Sequence, residues 1–200
     1  GDLQIARKCP RLTTQISIPS RYLVLLPQTR VVGVSARIED EVERARLKAH
    51  VGALAPAGES HGYIVRTNAE GQSEEALAED ITYLSRVWNL IGEKSGSARV
   101  GECVYEDLTL PLRAVRDLIR RDVEKVKVDS RETFERLRAF AAQFMPSTGT
   151  AEGPDLVEKI EHYAGARPIF DLYGVEDEIQ RALDKQVPLK SGGYLVIDQT

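Results

Sequence analysis

The chain has 200 residues, 42% of them hydrophobic and 29% charged, with a net charge of −4. That balance belongs to an ordinary folded globular protein with a sizeable core and excludes a disordered or fibrous chain. The sequence shows no long apolar run and no basic-then-apolar leader, so neither a membrane span nor secretion is indicated. Cys9 and Cys103 lie apart from each other and from histidine, which points to free, reduced thiols in a cytoplasmic protein.

The net charge hides an asymmetry. Residues 1–38 carry Arg7, Lys8, Arg11, Arg21, Arg30 and Arg37 against Asp2 alone, a balance of +5 that leaves −9 for residues 39–200. Clustered positive charge suits an anionic partner such as RNA, and equally suits a solvated face.

In chain order, residues 1–18 read as a basic lead-in and a short strand, with Thr14, Ile16 and Ile18 alternating. Tyr22–Leu26 is a continuous apolar run stopped by Pro27, the pattern of a buried strand. Val31–Arg37 predicts another strand. Glu39–Val51 predicts a helix with Val42, Ala45 and Ala49 inward, acids early and bases late. After a loop at 52–62, Tyr63–Thr67 reads as a strand running into Asn68-Ala-Glu-Gly71. A helix over 73–94 follows, its stripe made of Ala76, Leu77, Ile81, Leu84, Val87, Trp88 and Ile91.

Beyond a loop at 94–99, residues 100–108 read as extended. Thr109 and Pro111 open a helix carrying Val115, Leu118 and Ile119. Val126–Val128 predicts a strand. Ser130 caps a helix over 131–144 with Phe134, Leu137, Phe140 or Ala141, and Phe144 inward. Met145–Gly153 reads as a loop, Pro154–His162 as a helix, and 174–185 as another. A hairpin of 186–190 and 194–198 about Ser191-Gly192-Gly193 completes a mixed α+β pattern. The apolar Tyr194–Ile197 segment at the very end reads as a strand wanting a partner, so the chain is expected to be a piece of something larger.

Chemistry-bearing motifs are sparse. No GxGxxG, P-loop, GxSxG or HExxH occurs. His50, His61 and His162 are isolated, and the acidic groups Glu39-Asp40-Glu41, Glu74-Glu75 and Glu176-Asp177-Glu178 sit where helices begin and read as structural. One constellation differs. Arg66 and Thr67 end a strand before Asn68 and the flexible Ala69-Glu70-Gly71, and a guanidinium fork beside a hydroxyl and free N–H groups suits a terminal phosphate. The alternative is structural: Arg66 pairs with a helix carboxylate and Thr67 caps the turn.

Several segments resemble the ribonuclease E/G family: RLTTQISIPSRYLVLLP (11–27), GVSARIED (33–40), GYIVRTNAEG (62–71), YLSRVWNLI (83–91), VKVDSR (126–131) and the long KIEHYAGARPIFDLYGVEDEIQRAL…LKSGGYLVIDQT at the end. The resemblance implies the end of an S1 domain at 1–14, a 5′-sensor domain at 15–108, an RNase H-like domain at 109–175 and the start of a DNase I-like domain at 176–200. It implies a single-strand-specific endoribonuclease of ribosomal RNA processing and mRNA decay, acting on RNA with a 5′-monophosphate and forming homo-oligomers. The family's Mg²⁺-holding carboxylates fall in an IDxN segment soon after IDQT and in a later acidic motif, so Asp198 matches neither and no catalytic or metal residue is expected within 1–200. In the sensor, the resemblance assigns the 5′-phosphate to Arg66 and Thr67 and main-chain contacts to Val24 and Ser20; a further arginine of the sensor lies outside these residues. The sequence departs from the family at Ser20, where some members have glycine, at residues 2–11, and at Ser147–Gly153, which reads as an inserted loop. Three readings stay open: part of an enzyme, a stand-alone non-catalytic RNA-binding module, and a scaffold.

Overall fold

A computed structural model describes residues 12–55, 61–119, 123–145 and 156–198. The chain divides into two compact units, Gly1–Ile119 and Arg120–Thr200. The expected S1 remnant at 1–14 falls almost wholly outside the described residues, as does the inserted loop at 147–153.

In the first unit, β1 (Ile18–Pro19), β2 (Leu23–Leu26), β3 (Val32–Val34) and β4 (Gly62–Val65) form one sheet in the order β1-β2-β4-β3. The first three neighbours run antiparallel, and β3 runs parallel to β4 through a crossover containing α1 (Glu41–Leu54). Alternation along β2 and β4 sends Leu23, Leu25, Tyr63 and Val65 to one face, each at most 1% exposed, while Val24 and Ile64 pair on the other. Pro19 is tolerated because β1 is an edge strand.

Two helices cover the core face. In α1, Asp40 accepts a hydrogen bond from the Val42 N–H at 2.9 Å. In α2 (Glu74–Ser97), Ser73 caps through the Ala76 N–H, and Leu77, Ile81, Leu84, Val87 and Ile91 are buried as expected. The inward face of α1 is not the expected one: Leu47 and Val51 are buried, whereas Val42 is 78% exposed and Ala45 and Ala49 face solvent. Leu47 and Val51 remove more apolar area from water than two alanines can, and the helix is rotated to suit them.

Three strand boundaries also shift. The first strand keeps only Ile18–Pro19, leaving Ile16 half exposed; the third ends at Val34; the fourth ends at Val65, and Thr67–Ala69 turns into a 3₁₀ helix. Residues 102–109 form no regular element before α3 (Leu110–Leu118). In α3, Val115 is buried as expected, but Leu118 is 69% exposed, and Arg116, not predicted inward, is 4% exposed. The helix that the sequence places at the head of the RNase H-like domain is thus held by the first unit.

In the second unit, β5 (Val126–Val128) pairs in parallel with β6 (Ile160–His162), joined through α4 (Arg131–Phe144) and α5 (Leu156–Lys159). Ser130 caps α4, and Leu137, Phe140 and Ala141 are buried. The helix expected over 154–162 stops at Lys159. Ile160, 3% exposed, finds a β5 partner instead, and strand pairing overrides local helix propensity. Two helices, α6 (Ile169–Leu172) and α7 (Val175–Leu183), lead to the hairpin of β7 (Gln186–Pro188) and β8 (Tyr194–Val196). The expected terminal strand forms, yet Tyr194, Leu195, Val196 and Ile197 are 52–62% exposed. Helices and mixed sheets in both units make the fold α+β.

Candidate functional site

The sheet brings the sequence-predicted residues to one end of the β2–β4 pair. Arg66 follows β4, and its N–H donates to the Tyr22 carbonyl at 2.8 Å, extending the ladder by one pair. Its guanidinium reaches back to the turn before β2, where Nη1 donates to the Ser20 carbonyl at 2.5 Å. A guanidinium carries five N–H donors, so the bond to Ser20 restrains its direction and uses one of the five. Thr67 opens the 3₁₀ turn next to it, at a position where backbone N–H groups have no partner inside the turn.

Ser20 and Val24 are occupied within the sheet. The Ser20 N–H donates to the Leu23 carbonyl at 2.8 Å, and its carbonyl holds Arg66. Because Tyr22 and Arg66 form a hydrogen-bonded pair, alternation places Val24 opposite Ile64 in the hydrogen-bonded position too. The Val24 main chain therefore faces β4, and its side chain lies on the face away from the helices. Ser20 thus holds Arg66, and Val24 lies two residues along β2 from the Tyr22–Arg66 pair.

Four residues of this site were not singled out in the sequence. Asp80 of α2 is 7% exposed; Oδ1 accepts from the Ser20 hydroxyl at 2.6 Å, and Oδ2 accepts from the N–H groups of Tyr22 at 3.0 Å and Leu23 at 2.8 Å. Burial pushes the Asp80 carboxyl up, against the pull of these three hydrogen bonds and the charge of Arg21. Arg116 donates to the Pro19 carbonyl at 2.9 Å and makes a forked pair with Asp117 at 2.7 and 3.0 Å. Arg21 donates through Nε to the Arg116 carbonyl at 2.8 Å and through Nη2 to the carbonyls of Arg116 and Ile119, satisfying the open C-terminal end of α3. Burial works to raise the Asp117 carboxyl, but the Arg116 hydrogen bonds and the charges of Arg116, Arg66 and Arg21 hold it below the usual range. The signal for Asp80 was present: a carboxylate at the i+3 position from Leu77 and i−4 from Leu84, inside an apolar stripe. Arg116 gave none, because the carbonyl it holds is ninety-seven residues away in sequence, and Asp117 follows Arg116 as its neighbour and partner.

On the other side of the 3₁₀ turn, Glu43 of α1 accepts from the Gly71 N–H at 2.8 Å and takes a forked pair from Arg46, both bonds 2.7 Å. Arg46 also donates to the Gln72 carbonyl at 3.0 Å. The Arg46 and Gly71 hydrogen bonds lower the Glu43 carboxyl to about 2. Gly71 sits at φ 71°, a left-handed conformation that a β-carbon disfavours. The loop after Thr67 is thereby pinned to α1.

The site thus sets a guanidinium held by the Ser20 carbonyl at the start of a 3₁₀ turn. A profile of the ribonuclease E/G family matches residues 17–200. The chain belongs to the ribonuclease E/G family. It is 47% identical over 196 residues to the ribonuclease G of Salmonella typhimurium, covering 98% of this chain and 38% of that protein. The ribonuclease G of Haemophilus influenzae is 45% identical over the same share of each, and the ribonuclease E of Nostoc sp. is 36% identical over 96% of this chain and 27% of its own length. This member of the family therefore spans well under half the length of these relatives. Among its described residues, no cluster of three or more His, Cys, Asp or Glu side chains is arranged to hold a metal ion. Among the same residues, no helix is long and apolar enough to cross a membrane.

Proposed function

We propose that this chain is the part of a single-strand-specific endoribonuclease that recognises a 5′-monophosphate on RNA. The observation that carries the reading is the Arg66 guanidinium, held on the Ser20 carbonyl where β4 ends and the 3₁₀ turn of Thr67–Ala69 begins. A fork fixed in plane offers two parallel N–H donors to a phosphate, and the neighbouring hydroxyl and backbone N–H groups complete the contact. A terminal monophosphate brings up to two charges and three acceptor oxygens, whereas a 5′-hydroxyl brings neither, so the site separates the two ends by charge and by hydrogen bonding. Ser20 acts through the carbonyl that holds Arg66, and Val24 is a main-chain contact of the site.

In this reading the parent enzyme works on ribosomal RNA precursors and mRNA, is a homo-oligomer in the cytoplasm, and uses Mg²⁺ on carboxylates outside residues 1–200 to activate the attacking water. The chain itself binds and does not cut. The test is incubation of the purified chain with single-stranded RNA bearing a 5′-monophosphate or a 5′-hydroxyl, with Mg²⁺. Preferential binding of the 5′-monophosphate without cleavage is expected. Cleavage would place a metal centre within these residues, and equal binding of the two RNAs would remove the 5′-end assignment in favour of a general RNA-binding module or a scaffold.

A further inference from the structure

A two-residue hairpin closing at Ser20 and Leu23 is normally clasped by two bonds, one each way between the closing residues. Here only the Ser20 N–H to Leu23 carbonyl bond forms, at 2.8 Å. The Leu23 N–H turns to Asp80 at 2.8 Å, and the Ser20 carbonyl turns to Arg66 at 2.5 Å. A buried carboxylate and a guanidinium have divided the second bond between them. Asp80 also takes the Tyr22 N–H and the Ser20 hydroxyl, so one side chain holds three groups of the turn.

We infer that Asp80 is the positioning residue of the proposed phosphate site: it holds the Ser20–Leu23 turn open so that the Ser20 carbonyl is available to orient Arg66. Asp80 itself stands behind the turn and touches no ligand. Without its carboxylate, the Leu23 N–H has the Ser20 carbonyl as its nearest natural partner. The hairpin then closes, and the Ser20 carbonyl turns toward the Leu23 N–H, away from the direction in which it orients Arg66. This step rests on the 5′-monophosphate reading and adds a residue through which that reading acts. An asparagine at position 80 keeps a carbonyl oxygen for the two N–H groups and an amide that can donate to the Ser20 hydroxyl; an alanine keeps nothing.

The test is the ratio of affinities of the 200-residue chain for one single-stranded oligoribonucleotide carrying a 5′-monophosphate or a 5′-hydroxyl. The ratio is compared in the parent chain, Asp80→Ala, Asp80→Asn and Arg66→Ala. A ratio within one preparation is insensitive to the fraction of folded protein, and Asp80→Asn supplies the rescue should Asp80→Ala fold poorly. We expect Asp80→Ala to lower the ratio about tenfold, towards the Arg66→Ala value, and Asp80→Asn to keep it within about threefold of the parent. A loss with Arg66→Ala but an unchanged ratio in Asp80→Ala overturns the positioning role alone. An Asp80→Asn ratio as low as that of Arg66→Ala, in a chain that unfolds at the parent temperature, also overturns it. Equal affinities in the parent chain overturn the 5′-monophosphate reading and this inference with it.

Discussion

Arg66 is the residue at which local and long-range chemistry meet. Its place at the end of a strand, beside Thr67 and a turn-forming tetrapeptide, is readable from the sequence, because strand ends and turn residues are local signals. Its anchor is not: the Ser20 carbonyl is forty-six residues away, and sequence gives no register for β2 against β4. Two neighbouring carboxylates titrate with opposite signs. Glu43, lowered to about 2 by Arg46 and Gly71, contributes stability that is present above its unfolded-state value and lost as pH falls through about 2. Asp80, raised by burial, contributes with the opposite sign and loses its share as pH rises. Comparing the parent with Glu43→Gln cancels Asp80, which both retain. The stability gap between them is expected to open between about pH 2 and about pH 5 and to stay level above that, measured by urea denaturation. Gly62 makes a different demand. A β-carbon there would lie 2.5 Å from the Val31 carbonyl oxygen and 2.8 Å from the Val31 nitrogen, so Gly62→Ala is expected to lower stability by about 1–3 kcal/mol in the same measurement.

The elements are legible where one face is large and apolar. α2 and α4 fall where expected, with their buried faces, because leucine, isoleucine and phenylalanine recur at helical spacing. The face of α1 is ambiguous in the sequence, because two alanines and a valine match the period as well as Leu47 and Val51 do, and only packing distinguishes them. The strand Ile160–His162 looks helical locally because its stability comes from β5, more than thirty residues earlier. α3 is the element whose role changed most. Of its apolar side chains only Val115 is buried, yet Arg116 is buried beside it and bonds the Pro19 carbonyl, and the C-terminal carbonyls of the helix are held by Arg21. Arg116→Ala would remove the Asp117 fork, leave the Pro19 carbonyl without its donor and leave Asp117 only the more distant charges of Arg66 and Arg21, and it is expected to destabilise the first unit by about 2–4 kcal/mol. Arg116→Lys is expected to recover only part of this, because a single ammonium cannot reproduce the fork. Thermal unfolding of both variants checks the order.

At the scale of the whole molecule, Ser20, Val24, Arg66 and Thr67 of the proposed site all fall within the first compact unit, Gly1–Ile119. All the side chains that build it, from Ser20 and Arg66 to Asp80, Arg116 and Asp117, belong to that unit. A chain ending at Ile119 is therefore expected to fold and to keep the preference for a 5′-monophosphate. One ending at Leu108, a boundary that the family resemblance suggests, discards α3 and with it the partners of Arg21 and Pro19. Its cooperative unfolding transition is expected to weaken or vanish by circular dichroism. The motifs of the sequence are enough to place the family, since the matching segments are long and specific. The boundary of the first unit is not legible in the same way, because it is set by buried polar bonds between residues about a hundred apart.

The central claim is that Arg66 reads the 5′-phosphate of RNA. Its most direct measurement is the affinity of the chain for one single-stranded RNA with a 5′-monophosphate relative to the same RNA with a 5′-hydroxyl, in the parent, Arg66→Ala and Thr67→Val. The parent is expected to prefer the monophosphate by about tenfold or more, with Arg66→Ala near unity and Thr67→Val between the two. A parent that binds both RNAs equally, or an Arg66→Ala chain that keeps the full preference, would contradict it.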